Sequence, residues 1–172
     1  SGLTGCIIKN RCSSGEKGKK MKAFYFYDYP AQAIGRLGIG EEDGALVQVF
    51  KAEPEDLPLS GFFLRETKLL KETDRQLREY FSGQRKEFTL PLLLRGTDFQ
   101  KKVWQALCEV PFGQTASYQE IAERIESPKA CRAVGQANHH NPISIIVPCH
   151  RVIGKNGGLT GYGGGMEMKQ YL

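Results

Sequence analysis

The spacing of apolar residues changes partway along this chain, so a fold made only of strands or only of helices cannot accommodate it. Phe24, Phe26 and Tyr27 stand in an aromatic run, Ile34 to Ile39 is punctuated by Gly35, Gly38 and Gly40, and Ala45 to Phe50 follows. Short apolar runs separated by turn residues predict three strands in a small antiparallel sheet. Pro54, Pro58 and Gly61 mark a link, after which Leu69, Leu70, Leu77, Tyr80 and Phe81 recur at helical spacing until Gly83. One helix over about Leu64 to Phe81 therefore covers the sheet.

A second unit begins near Gly96, and its periods are helical. Thr97 or Asp98 can cap a helix carrying Phe99, Val103, Trp104 and Leu107, which Pro111-Phe112-Gly113 ends. Ser117 can cap another with Ile121, Ala122 and Ile125 inward; Pro128 breaks it, and a third begins around Lys129 and runs through Arg132, Ala133, Val134 and Ala137. The last two have the spacing of a helix-turn-helix, which is also found in many proteins that never touch DNA. The fold class expected is α+β: a leader or added extension over 1–20, a sheet-and-helix lobe over 21–92, and a mostly helical lobe over 93–172.

With 172 residues, 40 % hydrophobic and 25 % charged, the chain can bury a core but fits one ordinary domain or two small ones. Its net charge of +5 suggests nucleic acid until it is divided by region. Residues 1–20 hold five basic and one acidic side chain, 21–96 eleven and twelve, and 97–172 eight and six, so most of the excess lies in the leader. If DNA binds, the back half is the better candidate. No apolar run approaches a membrane span and no signal-peptide core is visible, so an intracellular location is expected. Cys6, Cys12, Cys108, Cys131 and Cys149 are odd in number and scattered, a poor disulfide framework; Cys6 and Cys12 are six apart and far in sequence from His139, His140 and His150, which argues against a metal site.

The segment richest in chemistry is Asn141-Pro142, an apolar stretch Ile143 to Val147 broken only by Ser144, then Pro148-Cys149-His150-Arg151-Val152. It predicts a buried extended segment that delivers a thiol and an imidazole to one place. A cysteine reacts as thiolate, and a nearby histidine is one means of producing it; an inert core cysteine beside a core imidazole is the alternative. Glycines from Gly154 to Gly165 surround Tyr162, and such a loop either brings backbone amides close to a ligand or is simply a mobile connection.

Pro148-Cys149-His150-Arg151-Val152 resembles the signature of the O6-alkylguanine-DNA alkyltransferases, the methylated-DNA-protein-cysteine methyltransferases. The order around it agrees over 97–172: Phe99-Gln100, Val103-Trp104, Pro111-Phe112-Gly113, Ser117-Tyr118, Arg132-Ala133-Val134-Gly135, Asn141-Pro142 and Gly161-Tyr162. Residues 21–96 resemble the family's ribonuclease-H-like lobe in pattern only. The resemblance implies DNA repair by direct damage reversal, with no cofactor and no metal, on double-stranded DNA approached from the minor groove, by a monomer. Cys149 would take the alkyl group once and irreversibly, His150 would act through a water as base, and Tyr118 would protonate N3 of the departing guanine. The carbonyls of Cys149 and Val152 would accept from the exocyclic amine, the Gly163 amide would donate to O6, and Tyr162 would lie beside the substrate. Asn141 would brace the turn between the DNA-binding helix and the active-site segment. On that helix Arg132 would fill the space left by the flipped base, with Ala130, Ala133, Gly135 and Ala137 allowing close approach to the groove.

The resemblance departs from the pattern in three places. The glutamate usually paired with the active-site histidine is expected beyond Leu172, and Glu167 does not match it. Cys131 reads as an extra small packing residue, and Asn138 stands where a relative carries a larger apolar side chain. Two other classes are carried forward: a sensor that binds alkylated DNA without transfer, and a cysteine hydrolase using Cys149 and His150, for which no third orienting residue presents itself.

Overall fold

A computed structural model describes residues 7–8, 22–57, 60–154, 169 and 172. The chain divides into two compact units, Gly5–Leu94 and Arg95–Leu172, the latter grouped with Ser1–Thr4.

In the first unit the predicted strands are β2 (Lys22–Asp28), β3 (Arg36–Glu42) and β4 (Ala45–Ala52), paired antiparallel. Asp43 and Gly44 join β3 to β4 with φ of 50° and 79°, the paired positive angles that a two-residue hairpin turn matching strand twist demands. Gly38 is required by its neighbours: a Cβ there would lie 2.6 Å from the Phe24 ring, which stacks on Phe50 at 5.8 Å between centroids.

The sheet is larger than expected and mixed. Three two-residue strands, β1 (Ile7–Ile8), β5 (Phe63–Leu64) and β6 (Pro91–Leu92), extend it to the order β1-β6-β4-β3-β2-β5, and they pair in parallel. β1 lies inside the stretch expected to be a leader, so those two residues belong to the sheet.

Helix α1 (Lys68–Phe81) starts where the Thr67 hydroxyl accepts from the Leu70 amide, and it buries Leu70, Thr73, Leu77 and Tyr80. The expected start near Leu64 is too early, because Phe63–Leu64 is strand. Gln76 is buried too: its amide bonds the Thr89 hydroxyl and accepts from the Thr89 backbone, closing the return toward β6.

The second unit is built on α2 (Asp98–Cys108), capped by Thr97 with Gln100 reaching back to the Thr97 amide. Its Val103, Trp104 and Leu107 are buried, as their spacing predicts. β7 (Ala116–Ser117) leads into α3 (Tyr118–Arg124), whose first turn Ser117 caps. Helix α4 (Cys131–His139) begins two residues later than expected, after Ala130, and has no side-chain cap. Trp104 ties α2 to α4 by donating from Nε1 to the Ala137 carbonyl at 2.8 Å. Among the described residues no helix is long and apolar enough to cross a membrane.

Candidate active site

Residues 141–153 form the centre of the candidate site, and their path differs from the extended segment expected. Ile143–Val147 folds into a tight buried turn, with Ile146 N donating to Ser144 O at 2.8 Å and Val147 N to Ile143 O at 3.1 Å. Ile145 sits at φ 73°, unfavourable for a β-branched residue, and is held there fully buried. Asn141 clamps the turn from outside: its Oδ1 accepts from Ile143 N at 3.0 Å and its Nδ2 donates to Val147 O at 2.9 Å. An apolar run predicts burial, and here local hydrogen bonds decide the backbone.

Cys149, His150 and Arg151 follow as one turn of 3-10 helix, which β8 (Val152–Ile153) continues. Arg151 anchors that turn by donating to the Val110 carbonyl at 2.8 Å beyond the end of α2, with its guanidinium 5.7 Å from the Phe112 ring centroid. β8 pairs parallel with β7 in the register Ala116↔Val152 and Ser117↔Ile153. Because the pair is parallel, Tyr118, the next residue and the first of α3, leaves at the end where β8 runs out past Ile153, and the Cys149–Arg151 turn enters at the other end.

Cys149 is 3 % and His150 6 % exposed. Burial pushes the Cys149 thiol up, opposed by a hydrogen bond from the Asn141 side chain and by the charge of Lys169. Burial first, then the charges of Arg151 and Lys169, pushes His150 down to about 3. Both groups are therefore neutral near pH 7, and the thiol must lose its proton as it reacts.

Two residues here were given no site role in the sequence reading. Lys169, 3 % exposed, donates from Nζ to the Val152 carbonyl at 2.8 Å, and burial lowers its own proton affinity. Asn138, also 3 % exposed, reaches the Cys149 carbonyl from α4, its Nδ2 donating at 3.5 Å. Asn138 did leave a signal, a polar residue one position past Ala137 on a face whose spacing asks for apolar side chains. Lys169 left none.

On α4, Arg132 and Ala133 are exposed, Ala130 and Gly135 are half-buried, and nothing lies within 4 Å of where a Gly135 Cβ would stand. Ala137 contradicts the expectation that it opens the helix to a groove: it is 3 % exposed, on the face that Trp104 holds. Cys131 is exposed, so it is no packing residue. Tyr162, Gly163 and Glu167 lie outside the described residues. Among the described residues no group of three or more His, Cys, Asp or Glu side chains could hold a metal ion.

A pair of short helices leading into a buried Cys-His turn defines a class, proteins that unite a helix-turn-helix with a cysteine nucleophile. Comparison with known proteins narrows it. The family model for the 6-O-methylguanine DNA methyltransferase DNA binding domain matches residues 98–172, and that for the ribonuclease-like domain matches 32–94. The methylated-DNA–protein-cysteine methyltransferase of Methanosarcina barkeri is 46 % identical over 148 residues, covering 86 % of this chain and 94 % of that protein. The constitutive enzyme of Bacillus subtilis is 46 % identical over 152 residues, 86 % and 92 %. The crystal structure of Mycobacterium tuberculosis OGT in complex with DNA superposes with a TM-score of 0.76 at 44 % identity, covering 86 % of this chain and 88 % of that one. The chain belongs to the 6-O-methylguanine DNA methyltransferase family.

Proposed function

We propose that this chain repairs DNA by direct reversal, turning an O6-alkylguanine out of the duplex and moving its alkyl group irreversibly to Cys149, once per molecule. The observation that carries the proposal is the buried turn in which Cys149 and His150 are adjacent, with Asn141 bonded to the backbone just before the thiol. In the transfer the Cys149 sulfur forms a bond to the alkyl carbon while the bond from that carbon to O6 breaks. The thiol proton leaves through a water to His150, and Tyr118 gives a proton to N3 of the departing purine, relieving the negative charge left on the base. No cofactor takes part in this scheme.

The carbonyls of Cys149 and Val152 receive the exocyclic amine, the Gly163 amide donates to O6, and Tyr162 takes part in binding the substrate. Arg132 enters the stack in place of the extruded nucleotide, and α4 lies in the minor groove through Ala133 and Gly135, its exposed and open positions. Chemistry and DNA contact thus belong to 93–172, acting as a monomer inside the cell. Extrusion costs a few kcal/mol for unstacking, which contacts to the opened duplex offset.

The test is intact-protein mass spectrometry after incubation with a duplex containing O6-methylguanine, with Cys149→Ala alongside. One added methyl group that maps to Cys149 and is absent from the variant is the expected result. Retained binding without a mass change would make the chain a sensor, and neither binding nor transfer would return the hydrolase.

A further inference from the structure

The two units treat their exposed cations differently. In the first, Arg36, Arg75, Arg78 and Arg85 are each ion-paired with a carboxylate of the same unit. On α4 no residue is acidic. Among the described residues neither the Arg132 guanidinium nor the Gln136 amide has a hydrogen bond or ion pair, and the only polar or ring contact of His139 is with His140. These three side chains share one line. Val134, Ala137 and Asn138 fix the buried side of α4, and at about 100° per residue Arg132, Gln136 and His139 fall within about 35° of the direction opposite to it. All three are exposed, and Ala133 and Gly135 stand on either flank.

A helix whose outermost positions were small could approach a groove until its backbone met the duplex. Here those positions hold a guanidinium, an amide and an imidazole, so the side chains meet DNA first. Each carries an N–H donor, which an imidazole keeps in either charge state, and the phosphates, sugars and base edges of a duplex present acceptors. Arg132 and His139 are two turns apart, about 10 Å along the axis, which is about three base steps of duplex.

We propose that Gln136 and His139 bind the duplex directly, extending along two helical turns the contact that Arg132 begins. The outward line of α4, rather than its small residues, then sets how tightly the chain holds DNA. This inference rests on the reading of α4 as the helix that contacts DNA, within the unit that the DNA binding domain model matches, and not on that of Cys149 as alkyl acceptor.

The experiment follows the fluorescence anisotropy of an end-labelled, undamaged duplex titrated with the wild-type chain, Gln136→Ala, Gln136→Glu and His139→Ala. Each alanine variant is expected to bind about fivefold more weakly, the loss of one hydrogen bond. Gln136→Glu should bind more weakly still, because it keeps the length of glutamine and sets a negative charge against the phosphates. Both positions are exposed and alanine is the better helix former, so the melting temperature of the alanine variants should not fall. Methyl transfer from the free base O6-methylguanine, which offers no duplex, should stay within about twofold of the wild type in all three variants. Undiminished affinity in either alanine variant would show that the duplex does not reach that side chain, and tighter binding would show that the side chain obstructs the duplex; either overturns the inference. Slower transfer from the free base overturns it as well, by making the residues structural. If the wild type takes a methyl group from neither a damaged duplex nor the free base while the variants bind more weakly, Cys149 as acceptor falls and the inference stands.

Discussion

Lowering the pH toward 5 is expected to weaken the Arg95–Leu172 unit through His150, by an amount that follows from burial. The imidazole is held at about 3 in the folded chain against an ordinary 6.5, chiefly because burial disfavours its charged form. Between those values the unfolded chain binds a proton that the folded chain refuses. The stabilisation is therefore complete above the unfolded value and is lost as the pH falls from there toward 3. The loss approaches about 1.4 kcal/mol per pH unit, which comes to about 2 kcal/mol between pH 7.5 and pH 5. For a chain of this size that is a fall of roughly 5 °C in melting temperature. Urea unfolding followed by the fluorescence of the single tryptophan, Trp104, reports on the unit concerned. His150→Gln is the comparison, since it keeps a polar side chain that cannot titrate while the exposed His139 and His140 remain in both proteins. The variant should lose about 2 kcal/mol less than the wild type over that interval, whatever its stability at pH 7.5. Equal losses in the two proteins would show that His150 is not the buried neutral group described here.

Three further outcomes follow from single contacts. Lys169→Met removes the cation that favours the Cys149 thiolate, so the thiol should rise further and the pH–rate profile for alkyl transfer should move to higher pH, each unit of rise lowering the thiolate fraction near neutrality about tenfold; a profile that stays in place refutes the coupling. Trp104→Phe leaves the Ala137 carbonyl without its donor and should destabilise the second unit by about 1–3 kcal/mol in chemical denaturation, detected by circular dichroism because the fluorophore is lost. Gly38→Ala places a methyl group 2.6 Å from the Phe24 ring and within 3 Å of Phe50, so the sheet must shift, and denaturation should show a loss of about 1–3 kcal/mol; no loss would mean the rings have room to move.

The parts of this fold legible in the sequence are those whose physics is local. β2, β3 and β4 are seven or eight residues long, enough for aromatic and glycine patterning to show, whereas β1, β5 and β6 have two residues each and no period to read. Thr67, Thr97 and Ser117 all accept a backbone hydrogen bond in the first turn of the helix they precede, and two of these, Thr97 and Ser117, could be named because small hydroxyl residues before an apolar period have that use. The errors arise where a distant residue decides. Alanine spacing on α4 put Ala137 beside Ala133, yet Trp104, 33 residues away, covers it. The run Ile143–Val147 announced burial, but the turn depends on the two bonds of Asn141 and on a left-handed Ile145. The same division runs through the site. Cys149 and His150 are visible because the proposed chemistry demands a thiol and an imidazole, and few residue types can supply them. Asn138 and Lys169 each donate to a backbone carbonyl, a task open to any donor of the right reach, so that contact cannot be read from their identity until the carbonyls are in place. Residues that act through the main chain are thus where sequence reading is blindest, and in this protein they surround the atoms assigned to hold the base.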